Sequence, residues 1–261
     1  AEKIVSYLKG FKYVNEAIAL GSIRRMAATV RDIDIAVSTD YPKETIEYFI
    51  SYPHKERLIE KGITTASILI SGGVQVDLMT QPPESFGSLL QHFTGSKSHN
   101  VHLRECALKK GLSLSEYGIR NLTKKNEPLS KYVNEKKYYN ALGLGWIPPE
   151  IRENTGEIEL AALHKLPELV EQKDIKGDLH THSNFPIEPS HDLGRDSIKN
   201  MVITGAKLGY EYIGLSEHNP SVSKHSTNDI YTLIKRRNEH IEQIKSDIKN
   251  VRILKLLEID I

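Results

Sequence analysis

The sequence predicts an α/β chain in two units, and three features carry that expectation. Short β-rich runs flank a Gly72-Gly73 pair in the first half, the signature of a hairpin within a mixed sheet. A Gly-, Pro- and polar-rich break falls at 142–157 (LGLGWIPPEIRENTGE). Beyond it the rhythm turns to strand–helix–strand–helix–strand, the pattern of parallel strands covered by helices.

Taken in order, residues 3–9 read as a helix tail ending near Gly10, and 14–20 as a strand running into Gly21-Ser22. Strands are predicted at 32–38 (DIDIAVS), 65–71 (TASILIS) and 74–80 (VQVDLMT), with a helix around 43–52. Pro82-Pro83 precedes a helix of about 84–92, and Ser96 to Lys110 forms another that Gly111 stops. The predicted division is 1–141, a linker over 142–172, and a second unit over 173–261. In that unit strands are expected at 175–179, 211–216 and 252–259, with helices near 195–208 and 228–248. No internal repeat or low-complexity segment interrupts this order.

Composition narrows the class. Charged residues make up 26% and hydrophobic residues 39%, the balance of a globular protein rather than a disordered one. No apolar run approaches the roughly 20 residues that span a bilayer, so no membrane partner is expected. The single cysteine, Cys106, excludes an internal disulfide framework and a Cys-rich zinc site. It reads as a packed helix residue, and the chain as cytoplasmic. A net charge of +1 does not announce nucleic-acid binding. Basic residues nevertheless cluster at Arg24-Arg25, Lys97 to Arg104 and Lys109-Lys110, and such strips bind phosphates even in a neutral chain. Any one of them taken alone is more often a solvated helix face.

The carboxylates of the first unit carry more information. Side chains on a strand alternate with period two, so Asp32 and Asp34 share one face while Ile33, Ile35 and Val37 share the other. Likewise Val74, Val76 and Leu78 form an apolar face opposite Gln75 and Asp77. If these strands are neighbours, three carboxylates converge above a hydrophobic floor, and divalent cations relieve their repulsion. Hard oxygen ligands suit Mg²⁺. Upstream, Gly21-Ser22 opens a short helix near Ile23, where free backbone N–H groups and Arg24 or Arg25 suit phosphate. An isolated Asp-x-Asp is more often a pair of solvated aspartates. Gly-Ser before it and Asp77 behind it reverse that balance.

These strings resemble a known family. GSIRRMAATVRDIDIAV is similar to the signature of family X DNA polymerases, the group containing polymerase beta and bacterial and archaeal enzymes. GVQVDL resembles the family's third-aspartate strand, and QHFTGSKSHNVHLRECALKKGLSLSEYGIR its segment for the incoming nucleotide. WIPPEIRENTGEIE resembles the junction after the polymerase core in prokaryotic members. The resemblance covers about residues 14–160 in order and spacing. It implies an α+β nucleotidyltransferase palm with a helical nucleotide-binding subdomain over 1–141. It implies that Asp32, Asp34 and Asp77 are catalytic metal-binding carboxylates, and that Gly21, Ser22 and Arg25 hold the triphosphate. Phe93 and Gly95 fall at the sugar turn, Asn100 at a base contact, and Arg104 at a template-strand contact. The family's usual Tyr-Phe before Thr-Gly-Ser is His92-Phe93 here, a departure at a position used for sugar discrimination. Gln75 stands where the animal enzyme has arginine.

In the second unit, DLHTHS places His180 and His182 two apart at a strand end, on one face. Neutral imidazoles suit zinc or manganese-like ions, although His-x-His alone is a weak signal. Glu217-His218 and Glu258 end the next two predicted strands, and ligands at the C-terminal ends of parallel strands are where α/β folds place active sites. Together they resemble a PHP (polymerase and histidinol phosphatase) domain, an α/β barrel. The resemblance implies His180, His182, His218 and Glu258 as metal ligands, with His191 and Asp192 in a loop that holds a further one. It also implies later strands and histidines beyond Ile261, and modules before the palm, so the chain is expected to be a central fragment with an incomplete barrel.

The expected activity is template-directed DNA synthesis in gap-filling repair, with a PHP-type 3′-5′ exonuclease or phosphoesterase in the full-length protein. The expected cofactors are Mg²⁺ or Mn²⁺ at the first site and Zn²⁺ or Mn²⁺ at the second. The expected partners are gapped or primer-template DNA and dNTP, with the protein a monomer. Two metals about 3.5–4 Å apart would activate the nucleophile and stabilise the leaving oxygen, with Asp32 and Asp34 bridging them. Two alternatives remain at this point, a template-independent nucleotidyltransferase and a DNA-end scaffold with little catalysis. The template-side segment 92–120 argues against the first, and the intact carboxylate set against the second.

Overall fold

The structure, a computed structural model, describes residues 1–124, 126–187 and 193–259. They fall into two compact units, Ala1–Pro167 and Glu168–Ile261. Among the described residues no helix is long and apolar enough to cross a membrane.

The first unit begins with α1 (Glu2–Lys9), β1 (Glu16–Ala19) and the single turn α2 (Gly21–Arg24). Then come β2 (Ile33–Ser38), α3 (Pro42–Ile50, with proline in its first turn), β3 (Lys55–Lys61), β4 (Thr65–Ile70) and β5 (Val74–Gln81). The sheet order is β1-β2-β5-β4-β3, parallel between β2 and β5 and antiparallel elsewhere. Gly72 and Gly73 turn β4 into β5 at φ +88° and +73°, a conformation that side chains with a Cβ resist.

Period two sorts this sheet as the sequence predicts. Ile33, Ile35, Val37, Val76 and Leu78 pack with Ile4 and Leu8 of α1 and Ile46 and Phe49 of α3. On the opposite face Ala36 and Met79 pack under Phe86, Leu89 and Leu90 of α4 (Phe86–Thr94). The same face carries Asp34 and Asp77 two residues earlier on each strand.

A second core lies further along the unit. It is built from α5 (Lys97–Lys109, capped by Ser96), the hairpin β6 (Leu112–Ser115) and β7 (Gly118–Asn121), α6 (Glu135–Ala141, capped by Asn134) and α7 (Glu157–Ala162). Leu103, Ile119, Tyr138 and Tyr139 are buried there together with Leu144, Ile147, Ile158 and Ala161. This corrects the linker expected over 142–172. Through Pro167 the segment belongs to the first unit, because its apolar residues find a core despite the surrounding glycines and prolines. Strand β3 and the β6–β7 hairpin also lie outside the predicted elements.

The second unit contains β8 (Gly177–Thr181), α8 (Ile198–Lys207), β9 (Tyr212–Leu215), α9 (Thr227–Asp247) and β10 (Arg252–Lys255). Its sheet is parallel throughout, in the order β10-β9-β8. Val202, Ile213, Leu215, Ile241 and Ile253 form its core, and a Ser226/Asp229 capping box starts α9.

Candidate active site

Strand register brings two of the predicted carboxylates together. Asp34 of β2 lies directly opposite Asp77 of β5, and Asp32 immediately precedes β2. Burial pushes the Asp34 carboxyl up to about 6, and the charges of Asp32 and Asp77 add in the same direction. A set that resists joint ionisation in this way, built wholly of oxygen donors, fits a hard divalent cation. Gly21 is required beside it: at φ +56° a Cβ would stand 2.6 Å from Asp34 Oδ2. The Leu20 N–H fixes the approach by donating to the Asp34 carbonyl at 2.8 Å.

An open cleft of about 450 Å³ adjoins this set. Gly21, Ser22, Arg25, Asp32 and Asp34 line it from one part of the chain, and His92, Phe93, Gly95, Asn100 and Arg104 from another. Asp77 lies beside Asp34 and outside this lining. Asn100 braces the turn after α4, its Nδ2 donating to the carbonyls of His92 (2.8 Å) and Gly95 (3.1 Å). Burial holds the His92 imidazole below its ordinary range, with Glu116 opposing the shift and Arg104 reinforcing it.

The two arginines after Ser22 part company. Arg25 Nε donates to Glu153 and its NH1 to the Thr94 carbonyl at 2.8 Å, while its side chain remains at the cleft. Arg24 instead turns to Glu135, with NH1 at 3.0 Å and NH2 at 2.7 Å, and to Thr94 Oγ1. Glu135 also accepts from the fully buried Arg152, whose remaining donors reach the Ile147 carbonyl at 2.9 and 2.7 Å. Burial alone would raise the Glu135 carboxyl; Arg152 and Arg24 together outweigh it and hold the group below its ordinary range. Glu135 and Arg152 escaped the sequence reading, because each sits in a charged stretch that looks solvated. A second buried pair, His99 Nδ1 with Glu157 Oε1 at 2.5 Å, ties α5 to α7.

In the second unit, one ligand atom from each of His180, His182 and Glu258 lies within 4.8 Å of the others. His180 Nε2 is 2.9 Å and His182 Nε2 3.2 Å from Glu258 Oε2, and His218 Nε2 is 3.5 Å from the same oxygen. The His182 Nδ1 is buried with no hydrogen-bond partner among the described residues. This mixed imidazole–carboxylate set fits a borderline divalent metal. The expected ligand Asp192, with His191, lies outside the described residues. Glu217 is not placed as a ligand. Its Oε1 accepts from Ser183 Oγ at 2.6 Å and its Oε2 from the buried Arg237, so it braces the ends of β8 and β9.

Comparison with known proteins follows the same residues. The model of the DNA polymerase beta thumb matches residues 89–153, the stretch that closes the cleft opposite the carboxylates. DNA polymerase/3′-5′ exonuclease PolX of Bacillus subtilis (strain 168) is 34% identical over 263 residues, covering all of this chain. DNA polymerase lambda of Rattus norvegicus is 26% identical over 164 residues, or 52% of this chain. The chain spans less than half the length of each relative, 44% of the first and 28% of the second. A sheet that pairs two aspartates, a cleft walled by the Gly-Ser turn and a matched thumb, and identity along the whole chain lead to one conclusion: from end to end the chain is similar to DNA polymerases of family X.

Proposed function

We propose that this protein extends a DNA primer on a template, filling gaps: the primer 3′-hydroxyl attacks the α-phosphate of a deoxynucleoside triphosphate and pyrophosphate leaves. The observation that carries the reading is the register-paired Asp34 and Asp77 with Asp32 beside them, at a cleft lined by Ser22, Arg25 and residues 92–104. Divalent cations such as Mg²⁺ or Mn²⁺, held by the three aspartates, would activate the hydroxyl and neutralise charge on the phosphates. The chain itself supplies position and charge. Ser22 and Arg25 receive the triphosphate, with Arg25 exchanging its bond to the half-exposed Glu153 for a phosphate oxygen. Asn100 keeps the 92–95 turn in shape so that His92 and Phe93 face the sugar. Arg104 binds the template side.

The PolX relative is named as a 3′-5′ exonuclease as well. That name and the His180–His182–His218–Glu258 cluster support a second, PHP-type site for phosphoester hydrolysis, loaded with Zn²⁺ or Mn²⁺. DNA and dNTP are the corresponding partners, with the protein acting as a monomer. The test is primer extension on gapped DNA, with and without template, comparing wild type with Asp32→Ala, Asp34→Ala and Asp77→Ala. Each substitution should remove nearly all extension while circular dichroism stays unchanged. Near-wild-type kcat in a folded Asp77→Ala protein would sink the assignment.

A further inference from the structure

Asp77 sits between two neighbours in register. On one side β2 presents Asp34, and on the other β4 presents Ser67. Directly paired residues of antiparallel strands project from the same face with Cβ atoms about 4.5–5.5 Å apart, within reach of a hydroxyl and a carboxylate. Ser67 Oγ donates to Asp77 Oδ1. Two residues back along β5 and on the same face, Gln75 Nε2 stands 3.0 Å from both Oδ1 and Oδ2. Both donors are neutral. They orient the carboxylate and leave its charge for a cation.

We propose that Ser67 and Gln75 are positioning residues that hold the Asp77 carboxylate for cation binding beside Asp34. The proposal rests on the carboxylate assignment above. Unrestrained, the Asp77 side chain would rotate away from the like charge of Asp34. With Oδ1 anchored by Ser67 from the β4 side and reached by the Gln75 amide as well, Oδ2 would be left to a cation held beside Asp34. Donors behind a metal ligand commonly govern affinity by about 10–100-fold.

The test is Mn²⁺ binding to the full chain, read by electron paramagnetic resonance of the free ion. His180→Ala and His182→Ala are present throughout to silence the second cluster. Ser67→Ala should weaken binding by about 10-fold. Ser67→Thr, which keeps the hydroxyl and suits a strand, should restore it. Gln75→Ala should weaken binding less, because its side chain is exposed. In extension assays the half-saturating metal concentration should rise in step for Ser67→Ala while the nucleotide KM at saturating metal stays unchanged. A purely structural role for Ser67 would not divide the two constants in this way. Wild-type Mn²⁺ affinity in Ser67→Ala, with Asp77→Ala impaired, would overturn the positioning role alone. Wild-type affinity in Asp77→Ala would overturn the carboxylate assignment and the positioning role together.

Discussion

Replacing Glu135 by alanine tests whether one buried carboxylate holds the first unit together around its cleft. Glu135 is 5% exposed and faces two guanidinium groups, Arg152 at 0% and Arg24 at 17%. The substitution leaves Arg152 buried with the Ile147 carbonyl as its one remaining acceptor among the described residues, and frees Arg24 from α6. Removing one partner of a buried ion pair costs about 3–5 kcal/mol, against a total stability of roughly 5–15 kcal/mol. At about 2–4 °C per kcal/mol for a unit of this size, the midpoint should fall by roughly 6–20 °C. Urea unfolding followed by far-UV circular dichroism measures the loss. Fluorescence of Trp146, the only tryptophan and itself 3.4 Å from Glu135 Oε2, gives a local probe. A cycle with Arg152→Met separates the pair's coupling from its burial cost. The pH dependence has a definite sign. The folded-state carboxyl lies below its ordinary 4.5, so its contribution is fully present above 4.5 and lost as pH falls through the folded value. The gap between wild type and Glu135→Ala should therefore close on acidification. A loss below about 1 kcal/mol, the range of exposed pairs, or a gap that widens in acid, would refute the reasoning.

Two further predictions concern the cleft. Asp34→Asn should stabilise the metal-free protein at neutral pH, on the order of 1 kcal/mol after allowance for its partial exposure. Because its carboxyl is raised from 3.8 to about 6, wild type should lose stability relative to the variant as pH rises through that window, and Mg²⁺ should erase the difference; thermal midpoints at several pH values check this. Arg104→Ala should weaken template-dependent incorporation by about the worth of one charged hydrogen bond, roughly 1.5–3 kcal/mol, and binding of isolated triphosphate by less. Equal losses in the two assays would move Arg104 to the triphosphate or to a structural role.

Much of the sheet was legible because strand periodicity is local. Ile33, Ile35 and Val37 alternate with Asp34 and Ala36, and that alternation alone assigns opposite faces to core and carboxylates. Strand β3 (KERLIEK) was not legible. It lies at the sheet edge, exposed along nearly its whole length, and its charges blunt the edge instead of marking a face. The 142–167 segment misled for the converse reason. Its glycines and prolines signal a break in regular structure, which is correct locally, yet Leu144, Ile147 and Ile158 are held by a core assembled from α5 and α6.

By itself the sequence determined the Gly-Ser turn, the parity of Asp34 and Asp77, the fold class, and the family resemblance. The first two follow from residue type and spacing within a few positions, and the last two from the order of such local signals along the chain. Tertiary structure alone decided what the charged side chains do. Arg24 and Arg25 are neighbours in sequence, yet one is committed to a buried carboxylate 111 residues away and the other remains at the cleft. Glu217 precedes a candidate ligand but spends both oxygens on Ser183 and Arg237. A charge near a solvated surface costs little wherever it points, whereas a buried one must be matched, and the partner that matches it is set by which distant segments pack together.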